Sequence, residues 1–275
     1  MRDIMRGLGV LLLMGGLAGC STTALLGKAS STHESSSVVD YLYPNDEQVV
    51  TEKTTNIRLP VKVGLAFVPS KYASESLPEK KQLELLRQVK DVFEQYPYIE
   101  KIEVIPSAYL RPKGGFENLG QVGRMFGVDV MALVSYDQIQ FNDANKLSLL
   151  YWTIAGAYMI QGDQYDTQTM LDTAVVDIKS HKLLFRAPGV SSVKGTSTMV
   201  NYQELAREAR QKGYEDALQV MIPNLQRELL AFKERVKRDQ SVHVYASSGF
   251  SGGGSFSWSL LWLLMGLLYG VQRRR

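Results

Sequence analysis

Seven residues near the middle of the chain, Val128-Asp129-Val130-Met131-Ala132-Leu133-Val134, limit the possible folds more than any other stretch. Only Asp129 interrupts their apolar run. A strand with one face in water alternates, whereas a continuous apolar run needs cover on both faces, as crossover helices give to a parallel sheet. The strand extends to Phe141, and its second half (Tyr136, Gln138, Ile139, Gln140, Phe141) alternates as it nears an edge or a solvent face. The preceding residues can supply the cover. Arg58 to Val68 is rich in β-branched residues and closed by Pro69, which predicts a strand. Pro78 to Tyr96 repeats Leu83, Leu86, Val89 or Lys90, and Phe93 at helical spacing, with proline suited to the first turn. Tyr98 to Ile105 alternates as a second strand, and Phe116 to Phe126 is a short helix ending at Gly127. Strand, helix, strand, helix, strand is the order that right-handed crossovers assemble into a covered sheet.

Beyond Phe141 the pattern changes. Leu147 to Ile160 is a long apolar strand, Gln161 to Gln168 is polar and turn-like, and Thr169 to Ile178 alternates. Lys179 to Lys182 reverses the chain and Leu183 to Ala187 returns, so this region reads as antiparallel hairpins. Pro188 to Val200 is a Gly/Ser/Thr loop. Asn201 to Arg238 is helical, with a break expected near Gly213 or a kink at Pro223, where the amide is missing. The fold class is therefore α/β (α+β): a mixed β-sheet with two strand-helix units, then antiparallel hairpins and a long, broken or kinked C-terminal helix.

The termini have a different character. Arg2 and Arg6 precede an apolar run from Gly7 to Gly19, the pattern of a secretory signal peptide over residues 1–19. It ends at Cys20, the only cysteine, so the exported part has no internal disulfide and relies on its core. Residues 21–37 are low in complexity and read as a tether, within a lead-in over 20–57 whose Tyr41 and Tyr43 suggest partly buried surface residues. A single globular domain occupies 58–246 and a Gly/Ser linker 247–255. Phe256 to Val271 is apolar but for two serines, then Arg273, Arg274 and Arg275 form a basic stop. Sixteen residues give about 24 Å of helix against about 30 Å of hydrocarbon, which suits a transient span with its basic end in the cytoplasm. The formal charge of +3 has the same terminal origin. The first nineteen residues carry a net +1 and residues 255–275 a net +3, leaving −1 for the remainder and no basis for nucleic-acid binding.

No constellation in the folded part points to catalysis, a metal or a cofactor. His33, His181 and His243 fall in a tether, a turn and the segment after the last helix. Gly249 to Gly254 lacks the lysine and the strand-to-helix setting of a phosphate loop. Asp129, Asp137, Asp143, Asp163, Asp166, Asp172 and Asp177 could converge at strand ends, although alternation and turn propensity account for each. Tyr136, Tyr151 and Tyr158 read as sheet-face packing, because no basic residues interleave with them.

Two resemblances add to this reading. Leu17-Ala18-Gly19-Cys20 resembles the lipobox of bacterial lipoproteins. It implies acylation of Cys20, recognition of Leu17, Ala18 and Gly19 by the signal peptidase, and, with serine at position 21, sorting to the outer membrane. Gly252, Gly253 and Gly254, the apolar segment and the arginine cluster resemble the GlyGly-CTERM sorting signal. Together the two ends resemble the rhombotarget lipoprotein family, which implies processing near those glycines by a rhombosortase-like intramembrane protease and surface delivery through type II secretion. The order of elements is similar to small α/β domains of envelope assembly lipoproteins such as the curli secretion channel. The implied partners are membrane lipid, the lipoprotein-processing and sorting machinery and an envelope protein, with no nucleic acid. Three readings follow: a non-enzymatic binding or assembly module, an envelope hydrolase with carboxylates at strand ends, and a lipoprotein that keeps both anchors.

Overall fold

The computed structural model describes residues 30–44, 51–52, 54–70, 77–144, 163–197, 201–239 and 241–247. Cys20 with Leu17 to Gly19, the expected strand over 147–160, Gly252 to Gly254 and Arg273 to Arg275 lie outside them. In chain order the elements are β1 (Ser30–Ser35), α1 (Val38–Leu42), β2 (Thr55–Leu59), β3 (Val61–Phe67), α2 (Glu79–Phe93), β4 (Ile99–Val104) and α3 (Gly115–Phe126). They continue with β5 (Val130–Ala144), β6 (Asp163–Asp177), β7 (Leu183–Ser197), α4 (Tyr202–Val236) and β8 (Val242–Ala246). A sheet runs β4-β3-β5-β6-β7 with β1 also paired to β5, and β2 and β8 form a separate two-stranded sheet. The sheet is mixed: β3 is parallel to both β4 and β5, whereas β6 and β7 form a hairpin.

The chain divides into two compact units, and β5, β6, β7 and α4 each contribute residues to both. In the larger unit the apolar centre of β5 pairs with β3 from Val63↔Val130 to Phe67↔Val134. Met131, Leu133 and Ala66 face α1 and α3, and the residues between them face the other way. Helix α2 presents Leu85, Leu86, Val89 and Phe93, all at most 5% exposed. This apolar stripe is rotated from the expected one, since Leu83 is only half-buried.

Five sequence expectations change. The strand expected over 58–68 is divided at Pro60, which lacks the N–H that would continue a ladder. Its first part pairs with distant β8, in register from Thr55↔Val242 to Leu59↔Ala246. Within the expected tether, Ser30–Ser35 is a strand, because main-chain pairing with β5 needs no apolar side chain. Tyr41 is not a surface residue: it is 2% exposed among Leu42, Val122 and Leu133. Finally, the polar stretch before Thr169 and the Gly/Ser/Thr stretch after Pro188 are halves of β6 and β7. Helix α4 continues through Gly213 and Pro223 without the expected break.

The smaller unit explains why those strand halves look like loops. Gln138 and Gln140 on β5, and Thr167 and Thr169 on β6, are all at most 3% exposed. Gln138 Nε2 donates to Thr169 Oγ1 at 2.7 Å and to the Arg210 carbonyl at 3.0 Å. Gln140 Nε2 repeats the arrangement with Thr167 Oγ1 at 2.8 Å and the Ala206 carbonyl at 3.0 Å. Two residues along a strand advance about 6.6 Å and four along a helix about 6 Å, so the two rungs stay in step. Arg210 Nη1 completes the second rung by donating to Gln140 Oε1 at 2.7 Å. The alternation expected for this half of β5 is present with its polar side inward, while Phe141 is 43% exposed.

Candidate functional site

The two faces of the sheet in the larger unit are covered differently. Against α1 and α3 the packing is complete. Tyr41 Oη donates to Asn118 Oδ1 at 2.9 Å, and the same oxygen accepts the Arg111 N–H at 2.9 Å. Burial pushes the Tyr41 phenol far above its ordinary pKa, and nearby Arg111 offsets only part of that. The His181 ring stacks on Phe116 with centroids 4.3 Å apart. Tyr41 and Asn118 on this face are therefore hydrogen-bonded, and His181 has an aromatic neighbour.

On the opposite face a cavity of about 350 Å³ remains between β3, β4, β5, α2, the second half of α4 and the β2–β8 pair. Strand alternation aims Val61, Val63 and Leu65 into it from β3, and Val130 and Ala132 from β5. Helical spacing does the same for Leu225, Leu229, Phe232 and Val236 on α4. The cavity is graded. Leu65, Val89, Phe93, Val130 and Leu225 at its inner part are at most 5% exposed, whereas Val61, Val63, Leu229, Phe232 and Val236 are half-buried. The polar lining groups are Tyr98, Lys233 and Lys237, and both lysines are exposed, near the end of α4. Burial raises the Tyr98 pKa first and the neighbouring Tyr96 raises it further, so its hydroxyl is protonated at neutral pH. Among the described residues the walls carry no carboxylate, imidazole, thiol or serine.

The volume falls in the range of about 300–1,000 Å³ usual for small-molecule sites. Chemically, the site can hold a hydrocarbon group and hydrogen-bond or ion-pair at its exposed end.

The acidic residues do not join it. Asp129 is exposed, with its N–H donated to the Lys62 carbonyl at 2.9 Å. Asp172 pairs with Arg186 at 3.0 Å and Asp166 with Lys194 at 3.1 Å. Asp177 is buried because its carboxylate accepts the Ser180 N–H at 2.7 Å in the turn after β6. Asp137 is half-buried on β5, and the side chains of Asp143 and Asp163 lie outside the described residues. Among the described residues no group of three or more His, Cys, Asp or Glu is arranged to hold a metal. Tyr136 packs edge-on against Phe67 at 6.1 Å, as its sheet position suggested, whereas Tyr151 and Tyr158 lie outside the described residues. No described helix is long and apolar enough to cross a membrane.

No protein-family model matches the chain, and no curated protein matches it. Solved structures show distant likenesses. A neuraminyllactose-binding hemagglutinin homolog from Helicobacter pylori aligns over 70% of this chain and 94% of its own, at 9% identity and a TM-score of 0.37. An uncharacterized lipoprotein B from Nitrosomonas europaea aligns over 68% and 93%, at 12% identity and a TM-score of 0.29. A lipoprotein from Neisseria meningitidis aligns over 58% and 96%, at 11% identity and a TM-score of 0.22. At these scores the likenesses carry no argument about what the chain binds or does.

The cavity was not foreseen from the sequence. Each of its walls was legible as a core-facing stripe, but a stripe that meets another side chain reads the same as one that meets a void. The available signal was the pair Lys233 and Lys237, which continue the apolar face of α4 in its last turns.

Proposed function

We propose that the protein is an exported lipoprotein of the bacterial envelope, held by acylated Cys20, whose folded part is a non-enzymatic binding module. The observation that carries the binding role is the apolar cavity beside α4, whose walls offer burial to a hydrocarbon ligand. The attachment rests on the signal peptide and Leu17-Ala18-Gly19-Cys20. The tail from Gly252 to Arg275 is a transient anchor removed by a rhombosortase-like protease, leaving the protein at the outer membrane or cell surface, possession of which would follow from type II delivery.

Three measurements test these parts separately. Cells fed radiolabelled palmitate should label the protein, and Cys20→Ala should abolish the label; incorporation into that variant would refute the attachment. Intact mass of protein taken from membranes should lack Arg275, and its retention would favour permanent double anchoring. For the cavity, membranes holding the full chain are irradiated with adamantane diazirine, a small uncharged photoprobe. Adducts should map to the peptide containing Leu225 to Val236 and be lost in Leu229→Trp, which fills the cavity. Absence of such adducts would remove the binding role.

A further inference from the structure

The ligand class can be taken further, on the premise that the cavity is a binding site. We propose that it holds one free long-chain fatty acid, with the hydrocarbon toward Leu65 and Leu225 and the carboxylate at Lys233 and Lys237.

Volume suits a single chain. At about 30 Å³ for a water-sized group, 350 Å³ accommodates on the order of a dozen methylenes, enough for most of one acyl chain. Length agrees. Leu225 to Val236 spans about 16 Å along α4, against about 15 Å for one leaflet of a bilayer's hydrocarbon. The exposure gradient gives the direction, since the walls are fully buried beside Leu225 and open toward Phe232 and Val236.

Charge selects the head group. The charged residues of the described lining are lysines, Lys233 in the last turn of α4 and Lys237 just past its end, both exposed beside half-buried Phe232 and Val236. Lys237 also contacts Glu234 at 2.6 Å, an exposed i,i+3 pair that an incoming carboxylate can replace at small cost. A neutral head would leave two ammonium groups beside the apolar rim without gain, and a cationic head would be repelled. Tyr98 is the remaining polar group of the described lining.

The test uses the full chain in membrane vesicles and a diazirine-bearing palmitate as the photoprobe. Adducts are expected on the peptide containing Leu229 and Phe232. Unlabelled palmitate should compete, and hexadecanol, with the same chain and an uncharged head, should need about tenfold more for the same effect. Lys233→Glu combined with Lys237→Glu alters only exposed side chains and should reduce palmitate labelling by a similar factor, while labelling by adamantane diazirine is kept. Equal competition by hexadecanol, labelling unchanged in the double variant, or displacement by lysophosphatidylglycerol where palmitate fails would each overturn the fatty-acid assignment. In those cases adamantane diazirine adducts would still support the cavity as a site, and their loss from the wild-type chain would remove the underlying reading instead.

Discussion

On one face of the larger unit's sheet, Tyr41, Leu119 and Met131 leave no room, and the polar atoms that enter are bonded. On the other, Val63, Leu229 and Phe232 line a space where further side chains could have met. The two faces share the same strands and nearly the same residue types. The filled face receives a short helix and a 12-residue helix whose residues join one buried cluster with Met131 and Leu133. On the cavity side the long α4 and the β2–β8 pair hold their apolar residues apart. Apolar character therefore does not by itself mark a core, and the placement of the covering elements decides whether a stripe packs or binds.

Substitutions distinguish the faces, and pulse proteolysis in urea measures each in the full chain. The largest effect is expected at Leu119→Ala on the filled face, where a fully buried leucine has no slack and the loss should be about 2–5 kcal/mol. Gly189→Ala follows. A Cβ there would lie 2.2 Å from the Ala217 carbonyl oxygen, so α4 must shift from β7 at a cost of about 1–3 kcal/mol. If that variant also loses adamantane diazirine labelling, the close approach at Gly189 sets the cavity's width.

Tyr41→Phe should cost about 1 kcal/mol at neutral pH, because Asn118 Oδ1 keeps the Arg111 N–H after losing the phenol. It also changes the alkaline limb. With the folded pKa raised, the stabilisation is complete below about pH 10, where an unfolded tyrosine titrates, and is lost as pH rises from there toward the folded value. The variant should therefore lose stability less steeply above pH 10, by up to about 1.4 kcal/mol per pH unit. An unchanged alkaline slope would show that Tyr41 is not held neutral by the fold. The smallest effect is expected at Leu229→Ala, below about 1 kcal/mol, since the side chain already borders open space. A loss as large as that of Leu119→Ala would mean that the cavity side is packed like the other.

Much of the fold was legible because period and residue type agreed. The apolar stretch of β5, the alternation of β4 and the punctuation by Pro78 and Gly127 each locate an element within a few residues. The failures share a cause. Ser30–Ser35, the first half of β6 and the second half of β7 are held through main-chain pairing and polar side chains, so they lack the apolar pattern that reveals a strand. Gln138 and Gln140 reversed the usual rule, since each donates to both a threonine and a helix carbonyl. The close approach behind this was signalled only by Gly213, where a Cβ would lie 2.4 Å from Thr169 Oγ1.

By itself the sequence determined the strand-helix order, the covered central strand and the long last helix, because each depends on neighbours within one or two turns of chain. Tertiary structure decided that β2 pairs with β8, that Tyr41 belongs to the core and that the face beneath α4 stays open. Those outcomes depend on residues far apart in the chain meeting at a fixed spacing, which no local pattern encodes.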